Sequence, residues 1–274
     1  MLAKRIAVAL ILLPIGLAAI IAGEPVFAAA ITLTLAIAAW EYVRLLRAGG
    51  LKPAGALVVG GTVLFAAGRA INGFNSAPWI ASILILSSMA YHVVDFERGS
   101  EGSATNFSAT LGGFFYLGWI GSYLISLRDL TDGMWWFLLV LPSVWVADVG
   151  AYLFGHLFGR HPMAPRTSPN KTWEGYLGGI LSGTAGGAAL AAVWLALGGP
   201  DTGITVIKGA QLGLVLALLT PLGDLGESMI KRQVGAKDSG KLLPGHGGVF
   251  DRIDSWLWAG VIGYYLITWI FLPN

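Results

Sequence analysis

Residues 133–158 read GMWWFLLVLPSVWVADVGAYLFGHLF. The stretch is long enough to cross a hydrocarbon core, which takes about 20 apolar residues. It carries a single acid, Asp148, well inside it. Outward from it, the chain holds further long uncharged runs at 6–23, 70–94, 102–127, 175–200 and 255–274. Runs of this kind are membrane-span candidates. Over 274 residues, 55% are hydrophobic and 12% charged, and the mean hydropathy is +0.71. Soluble domains carry about a quarter charged residues. The 17 basic and 15 acidic side chains here cannot cover a soluble globule of this size. Cysteine is absent, so there is no disulfide framework, thiolate nucleophile or cysteine metal site. A soluble enzyme, a secreted disulfide module and a disordered chain are excluded. The fold class expected is an all-α, polytopic integral membrane protein.

Nine hydrophobic segments are expected, at 4–22, 26–46, 54–72, 77–94, 108–127, 133–158, 173–197, 207–230 and 254–272. Lys4 and Arg5 precede the first, as in a signal peptide. Its apolar run is longer than a signal core and a second span follows at once, so it reads as a span. With the N-terminus in the cytoplasm, all but Arg69, Arg128 and Lys208 of the basic residues fall on the cytoplasmic side. That is the orientation the positive-inside rule favours. It places the polar loops 159–172 and 231–253 on one face of the membrane, taken as the cytoplasmic (inner) membrane of the cell. The net charge of +2 gives no reason to expect nucleic acid. Gly178, Gly179, Gly183, Gly186 and Gly187 lie in one segment, and small residues let membrane helices approach closely. The chain divides in character: 1–95 is ordinary apolar span, a lipid-facing wall or a dimer surface, and 96–274 is the catalytic region. Residues 95–107 read as a solvated connector.

Ionisable residues inside a span are expensive and face a partner or a polar cavity. Asp148, Tyr152, Gly155 and Gly159 share one helix face by spacing, as do Asp224, Glu227, Ser228 and Lys231. Asp251 and Asp254 open the last segment, with Asp251 at or just before the helix. Acids on three segments, with no sulfur ligand, suit Mg²⁺, which binds through one or two carboxylates, waters and substrate phosphates. The alternative is a set of intramembrane salt bridges, for example Glu227 with Lys231.

The loop between the last two segments carries Lys231, Arg232, Lys237, Asp238, Lys241, Pro244, Gly245, His246, Gly247, Gly248, Asp251 and Arg252. Gly245, Gly247 and Gly248 allow backbone N–H groups to converge on an anion, and the cations suit phosphate. His246, between glycines, reads as a phosphate-contacting turn or as a general base. In the loop before segment 173–197, Ser168 and Lys171 are phosphate candidates, and Thr172 is placed to cap the following helix. No Walker-type lysine loop is present.

The ungapped run from Ser228 to Asp254, Ser228-x-x-Lys231-Arg232-x-x-x-x-Lys237-Asp238-x-x-x-x-x-Pro244-Gly245-His246-Gly247-Gly248-x-x-Asp251-Arg252-x-x-Asp254, resembles the signature of the phosphatidate cytidylyltransferase family. Asp148-x-x-x-Tyr152-x-x-Gly155-x-x-x-Gly159-Arg160 and Ser168-Pro169-x-Lys171-Thr172-x-Glu174-Gly175 are also similar to it. The resemblance covers about 145–255. It implies transfer of CMP from CTP to phosphatidic acid, giving CDP-diacylglycerol and pyrophosphate for phospholipid synthesis. It also implies Mg²⁺, a K⁺ site beside it and a homodimer, with metal on Asp224 and Asp251 and Asp148 close by. Lys231, Arg232, Lys237 and Arg252 would bind the lipid phosphate and the leaving pyrophosphate. Asp238 and His246 would complete the catalytic set. Tyr152, Ser168, Lys171, Ser228, Gly245, Gly247, Gly248 and Asp254 would bind substrate. A CTP-dependent polyprenol kinase and, from another class, a secondary transporter are the competing readings. The transporter is disfavoured because the charged spans all lie in the second half, whereas transporters often show related halves.

Overall fold

The computed structural model describes residues 2–243, 245 and 247–272, with side chains from residue 10 onward. The protein is helical. In chain order the helices are α1 (Leu2–Ala22), α2 (Val26–Ala48), α3 (Gly55–Asn72), α4 (Ala77–Glu97), α5 (Ser103–Gly113), α6 (Tyr123–Arg128), α7 (Gly133–Phe158), α8 (Trp173–Gly198), α9 (Val206–Leu219), α10 (Pro221–Gln233) and α11 (Phe250–Leu266). Each of the nine expected segments falls on helix. By length and composition, six stretches among the described residues are long and apolar enough to cross a membrane. One of them, Gly55–Glu97, is the α3–α4 pair.

The polar boundaries differ from the sequence reading. The stretch before α8 is not a plain loop. It holds an antiparallel hairpin, β1 (Pro162–Ala164) and β2 (Ser168–Thr172), with Pro162 opposite Thr172. The later loop is shorter than expected, because α10 runs on to Gln233 and α11 starts at Phe250. Lys231 and Arg232 sit in the last turn of α10 and Asp251 in the first turn of α11, the ends where each charge complements the helix dipole.

Two compact units make up the chain: Met1–Ser126 with Ile230–Ile253, and Leu127–Met229 with Asp254–Asn274. In the first unit, a Cβ on Gly61 would meet Leu84, and one on Gly68 would meet Ile80, so α4 folds back antiparallel along α3. Phe65, Ala77, Ile80, Leu84 and Phe114 form the core here. Phe114–Ile120 is a π-helical turn between α5 and α6. The connector reading of 95–107 fails from Ser103 onward. Asn106 and Thr110 on α5 are buried, and they accept the backbone N–H groups of Lys52 and Ala54 at 2.8 and 2.9 Å. Buried main-chain donors need such partners, and the α2–α3 connection finds them on α5. Arg69, one of the three basic residues expected on the outer side, is buried. Its guanidinium lies 3.4 Å from the Phe74 ring centroid and 4.9 Å from that of Tyr123, and it donates to Ser126 Oγ at 3.2 Å. Cation–π contact and a hydroxyl therefore replace water around it.

The second unit is built on small residues. Gly183 and Gly187 of α8 face Gly209 and Gly213 of α9 so closely that a Cβ on Gly187 would lie 2.3 Å from the Gly209 carbonyl oxygen, and one on Gly213 2.1 Å from that of Gly183. The expected small-residue approach is realised between these two helices. Pro142 lies within α7 and has no N–H for the carbonyl four residues back. That carbonyl, on Leu138, instead accepts the Trp194 indole N–H at 3.1 Å.

Gly187→Val and Gly213→Val are expected to lower the thermal midpoint in detergent, since overpacking costs roughly 1–3 kcal/mol or more. Gly60→Ala, whose Cβ meets nothing within 4 Å, should not lower it, and the better helix propensity of Ala inside α3 should raise it slightly. Fluorescence-monitored unfolding of the three variants checks this.

Candidate functional site

Two constellations hold the chemistry-bearing residues, one in each unit. In the second unit, Pro221 ends the α9 run and starts α10. Tyr176 donates its hydroxyl to the Leu218 carbonyl at this break, at 2.9 Å. Asp224 then falls in the first turn of α10 and Glu227 one turn on. Carboxylate oxygens of Asp224, Glu227 and Asp254 lie within 4.8 Å of one another. Glu227 is fully buried. A close approach at Gly223 makes the group possible: a Cβ there would sit 2.6 Å from the Asp254 carbonyl oxygen and 2.7 Å from the Trp258 ring. Any larger residue would separate α10 from α11 at the acids.

The hairpin delivers a cation to the same acids. Thr172 Oγ accepts the Gly175 N–H at 3.2 Å, the expected cap of α8. Glu174 accepts the backbone N–H groups of Arg160 and His161 at 3.1 and 3.2 Å, and its other oxygen pairs with the His161 ring. With the hairpin held on α8 in this way, Lys171 Nζ reaches Asp224 at 2.5 Å. Ser228 donates to the other Asp224 oxygen at 3.3 Å. Asp148 interacts electrostatically with both Lys171 and Asp224. Tyr152 is exposed and stacks on His156; Ser168 is half-buried on β2.

In the first unit, Asp251 is the centre. Its Oδ1 accepts from Lys231 Nζ at 2.6 Å. Its Oδ2 accepts from Ser239 N and Oγ, each at 2.9 Å, and from Gly248 N at 2.7 Å. The glycine turn is present, with Gly245 and Gly247 at φ +81° and +82° and Leu243 N–H on the Gly247 carbonyl at 3.0 Å. A Cβ on Gly247 would strike the Asp251 carboxylate at 2.6 Å. The N–H of Gly248 is thus aimed at an anion, as expected, but at the carboxylate of Asp251. Lys237, Asp238, Lys241 and Arg252 are exposed, and Arg232 donates to the Ala236 carbonyl at 3.3 Å. His246 and Pro244 lie outside the described residues.

The acids that converge in the second unit include one of the expected metal ligands, Asp224. Glu227 and Asp254 join Asp224, whereas Asp148 is not among the grouped oxygens and Asp251 is engaged by four donor contacts. Three carboxylates with no nitrogen or sulfur donor fit a hard divalent cation such as Mg²⁺.

A family model described as Cytidylyltransferase family matches residues 3–270. The chain belongs to the cytidylyltransferase family. It is similar to the phosphatidate cytidylyltransferase of Mycobacterium leprae, 36% identical over 248 residues that cover 85% of this chain and 76% of the relative. It is similar to that of Mycobacterium bovis, 35% identical over 254 residues, 89% and 80% of the two chains. The phosphatidate cytidylyltransferase of Brucella suis is 44% identical over 153 residues, 56% and 54%.

Two features of this cytidylyltransferase were missed by sequence reasoning. Glu227 was visible as a buried acid but assigned no site role, because its neighbour at the next helical turn, Lys231, offered an ordinary salt bridge. Ser239 gave no signal beyond its place next to Asp238. Removing a ligand is expected to weaken metal binding, as would separating the helices. Glu227→Gln and Gly223→Val should lower Mn²⁺ affinity by roughly 10- to 100-fold, read by electron paramagnetic resonance of the free ion in detergent. Unchanged affinity in both would remove the three-acid group as a metal site.

Proposed function

We propose that this membrane cytidylyltransferase transfers CMP from CTP to phosphatidic acid, releasing pyrophosphate and CDP-diacylglycerol. The observation that carries the reading is the convergence of Asp224, Glu227 and Asp254 in a chain that matches the family from residue 3 to 270. Similarity to proteins named phosphatidate cytidylyltransferase supports the lipid acceptor.

The attacking group is a phosphomonoester whose second pKa is about 6, so it is largely dianionic near neutral pH and needs no strong base. One of its oxygens forms a bond to the α-phosphorus of CTP, and the bond from that phosphorus to the β-phosphate bridge breaks with pyrophosphate as leaving group. Catalysis then consists of positioning and charge neutralisation. Mg²⁺, when bound by Asp224, Glu227 and Asp254, supplies Lewis-acid neutralisation of phosphate oxygens. Lys171 holds Asp224 and Lys231 holds Asp251; each is a cation that a phosphate can recruit. Lys237, Lys241 and Arg252, exposed on the loop and the first turn of α11, draw in the anionic substrates.

We assign the chain nine spans with the N-terminus and the reactive loops in the cytoplasm of the cell, supported by the distribution of basic residues. K⁺ as a second ion and a homodimer rest on the family resemblance alone. Replacing K⁺ by Na⁺ in the assay tests the first, and the mass of the detergent complex tests the second.

The experiment is purified protein in detergent with phosphatidic acid, Mg²⁺ and CTP labelled in the α-phosphate. Label in the lipid with pyrophosphate in water is expected. CDP in water without label in lipid would make the chain a CTP-dependent lipid kinase. Asp224→Asn and Asp254→Asn should each lower kcat by about 100-fold or more, the scale of losing one preorganised electrostatic contact. Lys237→Ala should raise the KM for a substrate with a smaller change in kcat.

A further inference from the structure

One acid interrupts the apolar run of α2. Glu41 is only 2% exposed, and neither the acid group nor the reaction above uses it. Its Oε2 accepts the backbone N–H of Phe250 at 2.9 Å and lies 3.4 Å from the Ser239 hydroxyl. That hydroxyl is also 2.9 Å from Asp251 Oδ2. The intervening loop is moulded on the carboxylate. A Cβ on Gly240 would lie 2.4 Å from Glu41 Oε1, and one on Gly248 2.4 Å from Oε2. The second oxygen, Oε1, is buried with no hydrogen-bond partner among the described residues. The Phe250 ring packs edge-on against Tyr42, the next residue of α2, with centroids 6.2 Å apart.

The first N–H groups of a helix have no partner inside it, and they are ordinarily capped by a residue just before the helix. α11 begins at Phe250, and its first N–H is capped by a side chain 209 residues away. Burying a carboxylate costs free energy unless donors answer it. An apolar residue would fill the same space without that cost. What the carboxylate supplies is a fixed acceptor that sets where α11 starts, one residue before Asp251. It also holds Ser239, which in turn donates to Asp251.

We infer that Glu41 is a positioning residue for cytidylyl transfer. It locks the 239–250 loop to α2, and through Ser239 and Phe250 it sets the Asp251 carboxylate and the Lys231 ammonium bound to it. The inference rests on the reading that the loop 231–253 serves the reaction, and the experiment separates the two.

Wild type, Glu41→Ala, Glu41→Gln and Asp251→Asn are compared in detergent for kcat, for the KM of phosphatidic acid, for thermal midpoint and for tryptic cleavage after Lys237 and Lys241. Glu41→Ala should lose kcat by about 10- to 100-fold, the scale of a small misplacement of reacting groups. Its KM should stay within about twofold, as an interaction made only in the transition state predicts, and trypsin should cut the loop faster. Glu41→Gln keeps an oxygen for the Phe250 N–H and should recover most of both kcat and protection. A folded Glu41→Ala with wild-type kcat, beside an inactive Asp251→Asn, overturns the role of Glu41 alone. Equal losses of midpoint and of kcat in the Ala and Gln variants, with no rescue, also overturn it. Wild-type kcat in Asp251→Asn removes the loop from the reaction and the inference with it. If Glu41→Ala does not fold, Glu41→Asp decides: reduced kcat with faster loop cleavage is expected, and wild-type values for both overturn the proposal. An inactive wild type would be a failure of the cytidylyl-transfer reading.

Discussion

A carboxylate drawn out of water must be answered by donors or by a cation, and the start of α11 is organised around that requirement. Asp251 meets it with Lys231, two groups of Ser239 and the Gly248 N–H. Among the described residues, the loop that supplies these donors has no regular ladder of its own apart from the Leu243–Gly247 bridge. It is shaped by where the acids need it. Left-handed Gly247 follows from the same constraint, since a side chain there would collide with the carboxylate it surrounds.

Main-chain groups obey the same rule in milder form. Pro142 leaves the Leu138 carbonyl without its helical donor, and Trp194 provides one. The α2–α3 connection leaves N–H groups that Asn106 and Thr110 accept. A buried polar group left unpaired costs free energy, and at these two irregularities of the backbone a side chain supplies the partner.

Small residues do the remaining work of bringing backbones together. Gly183, Gly187, Gly209 and Gly213 let α8 and α9 touch through their main chains. Gly223 uses the same close approach for a chemical end, because it lets Asp224 and Glu227 of α10 stand beside Asp254 of α11. The group can persist because Lys171 pairs with Asp224.

Span length and hydropathy are local properties, and the long apolar helices were legible in the sequence for that reason. So was the Thr172 cap, which needs only a hydroxyl three residues before its N–H donor. The anion-directed glycine turn was legible in kind, because Gly245 and Gly247 favour that backbone, but the anion it faces was not. Glu227 illustrates the limit: along one helix its visible partner was Lys231, while the acid that groups with it, Asp254, comes from another helix. Glu41 is the sharper case, a lone acid in an apolar run whose meaning lies 209 residues away. The sequence by itself determined the membrane helices, the chemical inventory and, by resemblance, the family. Only the tertiary structure decided which acids meet and which donors hold them, because those contacts join side chains whose spacing along the chain carries no record of their distance in space.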